Sequence, residues 1–98
     1  KPASGNEAFL ALDALPKELV VRSRMAGDRF YPLGAPGERL LSDVLIDKKI
    51  PKEERDRPLL CAGEQVLYAA GLGISERAKV RPDTREILHI QYTGGKQG

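Results

Sequence analysis

The chain has 98 residues, of which 41% are hydrophobic and 31% are charged, and its formal net charge is +2. This length allows one small domain with a modest core. No apolar run approaches the roughly 20 residues that a membrane-spanning helix needs, and no basic-then-apolar start suggests a secretory signal. These properties exclude a membrane protein and a multidomain enzyme within these residues.

The chain contains one cysteine, Cys61, and one histidine, His89. A single cysteine rules out an internal disulfide framework and is compatible with a reducing compartment, so we expect a cytoplasmic location. A zinc site made of cysteine and histidine alone is excluded as well, because structural zinc takes four such ligands.

The small net charge hides an uneven distribution along the chain. Residues 22–85 hold thirteen basic and ten acidic side chains, and nine of the thirteen are arginine. Arginine presents a planar fork of donors that suits phosphate. The charge balance alone also fits an ordinary solvated surface of mixed charge.

The chain is predicted to begin with a loose entry segment, residues 1–8, followed by a domain over residues 9–92. A first strand is expected around Phe9–Leu12, and a second over Leu19–Arg24, where β-branched residues precede an alternating pattern. Residues 93–98 are predicted to be a disordered tail.

The middle of the chain predicts a loop followed by helices. Residues 27–37 are rich in glycine and proline, and the aromatic residues within them either anchor the loop in the core, which we favour, or offer a stacking surface. Apolar residues at three-to-four spacing predict an amphipathic helix over residues 39–49. Ile50-Pro51 ends that helix, and Pro51 can begin a second, short one.

The last third of the chain predicts strands. Leu59–Ala62 and Val66–Ala70 form a hairpin around Gly63-Glu64-Gln65. Residues 75–81 are expected to be extended, with Arg77, Lys79 and Arg81 on one side, and residues 87–92 form the final strand. The predicted fold class is α+β: a small mixed or antiparallel sheet with one or two short helices.

The sequence contains no arrangement typical of an active site. His89 has no nearby serine, cysteine or aspartate with which to form a nucleophile–base pair. Cys61 lies in an apolar run and is expected to be inert core. Asp43 and Asp47 share a helix face and could bind a metal, but the lysines that follow favour a solvated helix edge. We therefore expect no catalytic residue and no metal site here.

Cations on stiff supports remain as the candidate functional groups. They lie on the second strand, in the glycine-rich loop, around the helix–proline joint and in residues 77–81. If these side chains converge in the fold, they form a rigid positive platform that follows phosphates. Double-stranded RNA is recognised largely through its shape, its phosphates and its 2′-hydroxyls.

A series of motifs in fixed order resembles a known family. The matching stretches run Val21-Arg22-Ser23-Arg24, Gly27-Asp28-Arg29-Phe30-x-Pro32-Leu33-Gly34, Gly37-x-Arg39-Leu40, Leu45-Ile46-Asp47-x-Lys49-Ile50-Pro51-x-x-x-Arg55, Pro58-Leu59-Leu60 and Gly71-Leu72-Gly73-Ile74-Ser75-Glu76-Arg77. Together they look like the C-terminal domain of bacterial tRNA(Ile)-lysidine synthases.

The resemblance implies a fold related to a domain of the phenylalanyl-tRNA synthetase β subunit. It implies a parent ligase that uses ATP, with magnesium, to join lysine to the wobble cytidine of tRNA(Ile). In the family that chemistry belongs to an N-terminal domain with a Ser-Gly-Gly-x-Asp-Ser loop, which these residues lack. The implied role here is recognition of the tRNA acceptor stem, without catalysis, beside the N-terminal ligase domain and with a homodimer possible.

The pattern of cations and the resemblance together give the candidate residues, of which the resemblance carries over Asp28, Arg29, Arg55, Glu76 and Arg77. The tRNA-binding candidates are Arg22, Arg24, Arg29, Arg39, Lys48, Lys49, Lys52, Arg55, Arg77 and Lys79. The structural motif candidates are Gly27, Asp28, Gly34, Pro51 and Glu76. Glu38 stands where the family often has a basic residue, so Arg39 lacks a basic neighbour there. Arg29 can either contact RNA or hold the loop through Asp28 or Glu76.

A second hypothesis is a dimerisation or interdomain docking module without direct RNA contact. It rests on the apolar hairpin around residues 59–70, which could present a strand edge to a partner.

Overall fold

A computed structural model describes residues 7–92 of the chain. The predicted entry segment 1–8 therefore lies outside the described residues except for Glu7 and Ala8, and the predicted tail 93–98 lies wholly outside them. The strands are β1 (Glu7–Ala11), β2 (Val20–Arg22), β3 (Arg29–Phe30), β4 (Arg39–Leu40), β5 (Leu59–Ala62), β6 (Gln65–Ala69), β7 (Gly73–Ile74) and β8 (Ile87–Gln91). The α-helix is α1 (Leu41–Asp47), and short 3₁₀ turns cover Leu12–Ala14, Lys52–Glu54 and Glu76–Ala78.

The β5–β6 hairpin is the centre of a six-stranded mixed sheet. Its turn uses Gly63 with a positive φ of 62°, as the sequence predicts. β2 pairs antiparallel with β5, while β3 runs parallel to β6 and carries β4 on its other side. β7 pairs with the end of β6. The hairpin is therefore interior, and the strand edge that the docking hypothesis required of it is not available.

Each face of this sheet is covered by a different element. One face packs against α1, in a core of Phe30, Leu41, Val44, Leu45, Leu59, Cys61, Val66 and Ala69. The other packs against a two-stranded antiparallel ribbon of β1 and β8, in a core of Ala8, Leu10, Leu60, Leu67, Tyr68, Ala70 and Ala78. The α+β class with a mixed sheet and one helix is confirmed.

An irregularity in the hairpin supplies residues to the ribbon side. Leu60 pairs with Tyr68 and Cys61 with Val66, which leaves Leu67 as an extra residue in β6. A bulge of this kind breaks the alternation of faces. Leu67 and Tyr68, although consecutive, accordingly both enter the core beneath the ribbon.

The helix is shorter than predicted. Residues 39 and 40 pair with β3 as the edge strand β4, so helical structure begins only at Leu41, whose N–H donates to the carbonyl of Asp28 at 2.8 Å. The helix ends at Asp47, and Lys49 adopts a positive φ of 57°. Its N–H donates to Ile46 at 2.9 Å, and the N–H of Ile50 donates to Leu45 at 3.0 Å, which is a Schellman motif.

Two other predictions needed correction. The predicted loop 27–37 contains β3, because Phe30 is buried beneath α1 and draws Arg29–Phe30 into the sheet; the preference for core anchoring is thus confirmed for Phe30. The prediction that residues 75–81 are extended is wrong, because Glu76–Ala78 form a 3₁₀ turn. Ser75 is fully buried and its Oγ accepts from the N–H of Arg77 at 3.1 Å, which caps a 3₁₀ turn.

None of the helices within residues 7–92 is long and apolar enough to cross a membrane.

Candidate nucleic-acid interface

Arg22 forms a partly buried ion pair with Asp28. Its two terminal nitrogens donate to the two carboxylate oxygens at 3.0 and 2.8 Å, and one of them also donates to the carbonyl of Gly63 at 2.9 Å. The Asp28 side chain is 3% exposed. Burial opposes its ionisation, but the hydrogen bonds from Arg22 and from the N–H of Met25 outweigh it and hold the pKa of Asp28 below its usual value.

This pair bears on the prediction that Arg22 contacts RNA. The guanidinium of Arg22 is used inside the protein, where it joins β2 to the turn before β3. The partner of Asp28 is Arg22 and not Arg29. Gly27, with a φ of 90°, allows the turn that places Asp28 there.

A second network gathers around Glu38. One carboxylate oxygen accepts from Gln65 Nε2 at 2.8 Å and from Arg77 at 3.2 Å, and the other accepts from Arg29 Nε at 3.1 Å. The bonds from Gln65 and Arg77 are the main reason that the pKa of Glu38 lies below its usual value. The guanidinium of Arg77 also lies over the ring of Tyr31, 5.4 Å from its centroid. Arg29 therefore pairs with Glu38 and with neither of its two expected partners.

Glu76 connects the 3₁₀ turn to the loop after β3. Its carboxylate accepts from the backbone N–H of Gly34 at 3.0 Å, which is the main cause of its lowered pKa. Its own N–H donates to the carbonyl of Tyr31 at 2.7 Å, so it fastens the loop after β3 at two points. Gly34 has a φ of 78° at this contact. Arg81 adds an exposed ion pair to Glu76 at 3.4 Å.

Two further arginines of the candidate set are paired with carboxylates. Arg24 donates to Asp56 at 3.4 Å and to the carbonyl of Arg55 at 3.2 Å. Arg39 donates to Asp47 at 3.0 Å, which ties β4 to the end of α1. Both pairs are largely exposed, so they contribute little to stability and dissociate easily.

The lysines after α1 differ from the arginines. Lys48, Lys49 and Lys52 are all exposed, and within residues 7–92 none of the three has a carboxylate partner. Pro51 begins the 3₁₀ turn that carries Lys52, since its carbonyl accepts from the N–H of Glu54 at 2.9 Å. Arg55 donates through Nε to the carbonyl of Ile50 at 2.8 Å, which fixes its side chain beside them.

The candidate cations do not form one platform. Directly paired residues of neighbouring strands share a face. Arg39 pairs with Phe30 and thus lies on the α1 side, whereas Arg29 pairs with Gln65 on the ribbon side. The ion pairs and this division correct the expectation of a single positive surface. Lys79 is exposed after the 3₁₀ turn, where Arg77, Lys79 and Arg81 no longer share a strand face.

Sequence reasoning missed Glu38, Gln65 and Tyr31 as members of the network. Gln65 and Arg77 lie 27 and 39 residues from Glu38 along the chain, and Tyr31 is similarly remote from Arg77, so no local pattern reveals these contacts. The turn that places Arg77 did carry a signal, because serine followed by glutamate is typical of a helical N-terminus.

The described residues offer little for other chemistry. Between Glu7 and Tyr92 there is no group of three histidine, cysteine or acidic side chains that could hold a metal ion. Cys61 is fully buried, and burial raises the pKa of its thiol. An apolar groove of about 340 Å³ lies between β2, the hairpin and β8, lined mainly by Val21, Leu60, Tyr68 and Tyr92.

Comparison with known proteins identifies the family. The sequence profile described as "TilS substrate C-terminal domain" matches residues 19–92. The tRNA(Ile)-lysidine synthase of Caldanaerobacter subterraneus subsp. tengcongensis is 44% identical over 86 residues, covering 87% of this chain and 18% of that protein. That of Symbiobacterium thermophilum is 44% identical over 96 residues, covering 95% of this chain and 20% of that protein.

A solved structure gives the same result. The crystal structure of a TILS C-terminal domain has a TM-score of 0.71 and 29% identity, covering 98% of this chain and 76% of that one. The chain belongs to the family of TilS substrate C-terminal domains, and the predicted resemblance is confirmed. It spans about a fifth of the length of the curated relatives it matches.

Proposed function

We propose that this domain binds the acceptor stem of tRNA(Ile) as the recognition module of a tRNA(Ile)-lysidine synthase. The family match supports a tRNA substrate, since the relatives are named for one. The observation that carries an RNA contact is the group of exposed lysines after α1, for which residues 7–92 provide no carboxylate partner.

We define the β4-edge surface as Arg39, Lys48, Lys49, Lys52 and Arg55. β4 is the last strand of the sheet on its side. The ion pair between Arg39 and Asp47 brings the end of α1 to this edge, and Lys48 and Lys49 follow Asp47 directly. The bond from Arg55 to Ile50 places Arg55 on the same segment. The five cations therefore lie along one continuous segment, residues 39–55, which contains β4, α1 and the 3₁₀ turn after it.

This surface suits the backbone of a duplex better than its bases. Lysine acts as a flexible point charge toward phosphate, and within the described part of the chain Arg55 donates only through Nε, which leaves its terminal nitrogens for bidentate contact. Arg39 can exchange its exposed partner Asp47 for a phosphate at small cost. Such contacts fix the position and orientation of the RNA without reading sequence. The domain thus holds the substrate while the chemistry takes place elsewhere.

We place that chemistry in the N-terminal ligase domain of the parent protein, in the cytoplasm. ATP, with magnesium, would bind there, and the Ser-Gly-Gly-x-Asp-Ser loop that holds it in the family is not part of this sequence. In this assignment the present residues carry no catalytic group and act only by binding RNA.

A salt titration tests the proposal. An acceptor-stem minihelix is titrated into the domain at several salt concentrations, with binding followed by fluorescence anisotropy. We expect log affinity to fall linearly with log salt, with a slope of about −3 to −4 if four phosphates are contacted. No binding at low salt would overturn the proposal, and a dimer by sedimentation in that case would favour the docking alternative through the apolar groove at Val21 and Tyr92.

A further inference from the structure

We propose that Glu38 is a positioning residue that holds Arg29 and Arg77 together as a clamp for one phosphate of the RNA. This inference rests on the proposed function, and it assigns a role to a carboxylate within a surface that binds a polyanion.

The geometry of the carboxylate supports a positioning role. Glu38 receives donors from three separate elements: Arg29 on β3, Gln65 on β6 and Arg77 on the 3₁₀ turn. Both guanidinium groups contact the same carboxylate, one at each oxygen, so they lie side by side. The amide of Gln65 fixes the carboxylate at 2.8 Å without adding charge.

The charge of the cluster is not balanced. Two guanidinium groups share one carboxylate, which leaves an excess of one positive charge. The Arg29 and Arg77 side chains are 34% and 49% exposed, so their free ends reach solvent. Like charges this close repel each other, and Glu38 is the group that offsets that repulsion.

Both arginines also keep unused donors. Arg29 contacts Glu38 through Nε alone, which leaves its two terminal nitrogens free within residues 7–92. Arg77 uses one terminal nitrogen, and its guanidinium plane is held over Tyr31. Planar donors from two sides match the several acceptor oxygens of a phosphate.

The clamp borders the β4-edge surface. Glu38 directly precedes Arg39 in the chain. The clamp and the β4-edge surface therefore meet at the edge strand, although they lie on opposite faces of the sheet. We infer that a duplex lying along this edge contacts both the clamp and the β4-edge surface, since duplex RNA presents phosphates along its whole length. This relieves the difficulty that the candidate cations are divided between two faces.

The test compares the direction in which RNA affinity changes in two variants. Glu38→Gln removes a negative charge, and so does the control Glu53→Gln, at an exposed glutamate beside Lys52 that has no ion pair in the described part of the chain. Charge alone predicts tighter RNA binding for both variants. The clamp predicts tighter or equal binding for Glu53→Gln but weaker binding, by about fivefold, for Glu38→Gln, with a salt slope reduced by about 1.

The outcomes separate the two proposals. Wild-type domain that does not bind overturns the proposed function and the clamp with it. Wild-type binding with Glu38→Gln behaving like Glu53→Gln overturns the clamp alone. The melting temperature of each variant is measured alongside.

If Glu38→Gln does not fold, Arg29→Ala combined with Arg77→Ala still tests whether the two arginines that Glu38 holds together bind one phosphate. A clamp on one phosphate predicts a salt slope smaller by about 1. An unchanged slope overturns the clamp, and a decrease of about 2 overturns the assignment of both arginines to a single phosphate.

Discussion

The guanidinium of Arg22 and the carboxylate of Asp28 meet through two parallel hydrogen bonds of 3.0 and 2.8 Å, beneath the surface of the domain. This pair fixes the approach to β3, because the carbonyl of Asp28 also accepts the first N–H of α1. One residue thus connects a strand, a turn and the helix. The pair gives Asp28 a structural role between two candidate phosphate contacts, Arg24 and Arg29.

Replacing Asp28 tests this structural role. Asp28→Ala leaves a partly buried guanidinium without its partner and is expected to lower the free energy of unfolding by about 3 kcal/mol. Asp47→Ala, which breaks the exposed pair with Arg39, should cost less than about 1 kcal/mol. Urea denaturation followed by circular dichroism measures both. Equal losses in the two variants would show that burial of the Asp28 pair is not decisive.

Acid should weaken the domain through the same carboxylate. The pKa of Asp28 in the fold lies below its ordinary value of 3.8, so the unfolded chain takes up the proton first as the pH falls. The stability that the pair contributes is fully present at pH values above the ordinary pKa of 3.8, and it is lost as the pH falls through the pKa of Asp28 in the folded state. The difference in unfolding free energy between wild type and Asp28→Asn should be constant from pH 7 to 5 and shrink below about pH 4. A difference as large at pH 3 as at pH 7 would contradict this.

Replacing Lys49 with glycine should have opposite effects on stability and on RNA binding. It occupies the left-handed position that glycine prefers at the end of a helix. Lys49→Gly should raise the free energy of unfolding by about 0.5–1 kcal/mol while it weakens RNA binding. Lys48→Gly is the matched control, since it removes the same charge at a φ of −85°. It should weaken binding without stabilising the domain, and stabilisation by both variants would refute the argument from strain.

Cys61 offers a reporter of the folded state. Its side chain is fully buried between the sheet and α1, and the raised pKa keeps it protonated at neutral pH. An aromatic disulfide reagent should react with the Cys61 thiol of the native domain orders of magnitude more slowly than with that of the urea-unfolded chain. Equal rates in the two states would place Cys61 outside the core.

Much of the fold could be predicted from sequence because local patterns specify it. The hairpin of β5 and β6 follows from two apolar runs around Gly63, and α1 follows from the spacing of Leu41, Val44 and Leu45. β3 was missed because two residues between glycines carry no periodic signal. Only the burial of Phe30 in the finished core makes them a strand.

The candidate site was less predictable than the fold. A sequence gives the number of cations but not the carboxylates that approach them from distant segments, such as Glu38 and Arg77, 39 residues apart. The lysines after α1 could be identified because their neighbours along the chain are also their neighbours in space. The ion pairs of Arg22 and Arg39 depend on tertiary structure and could not.

The most direct measurement of the central claim is a comparison of two charge-reversal variants. Lys49→Glu with Lys52→Glu alters the β4-edge surface, whereas Lys17→Glu with Arg85→Glu makes the same change in charge at exposed cations outside that surface. With an acceptor-stem minihelix at about 50 mM salt, the first variant should lose at least tenfold in affinity with a nearly unchanged melting temperature, and the second much less. Equal losses in the two variants, or no loss in the first, would contradict the assignment of RNA binding to this edge of the sheet.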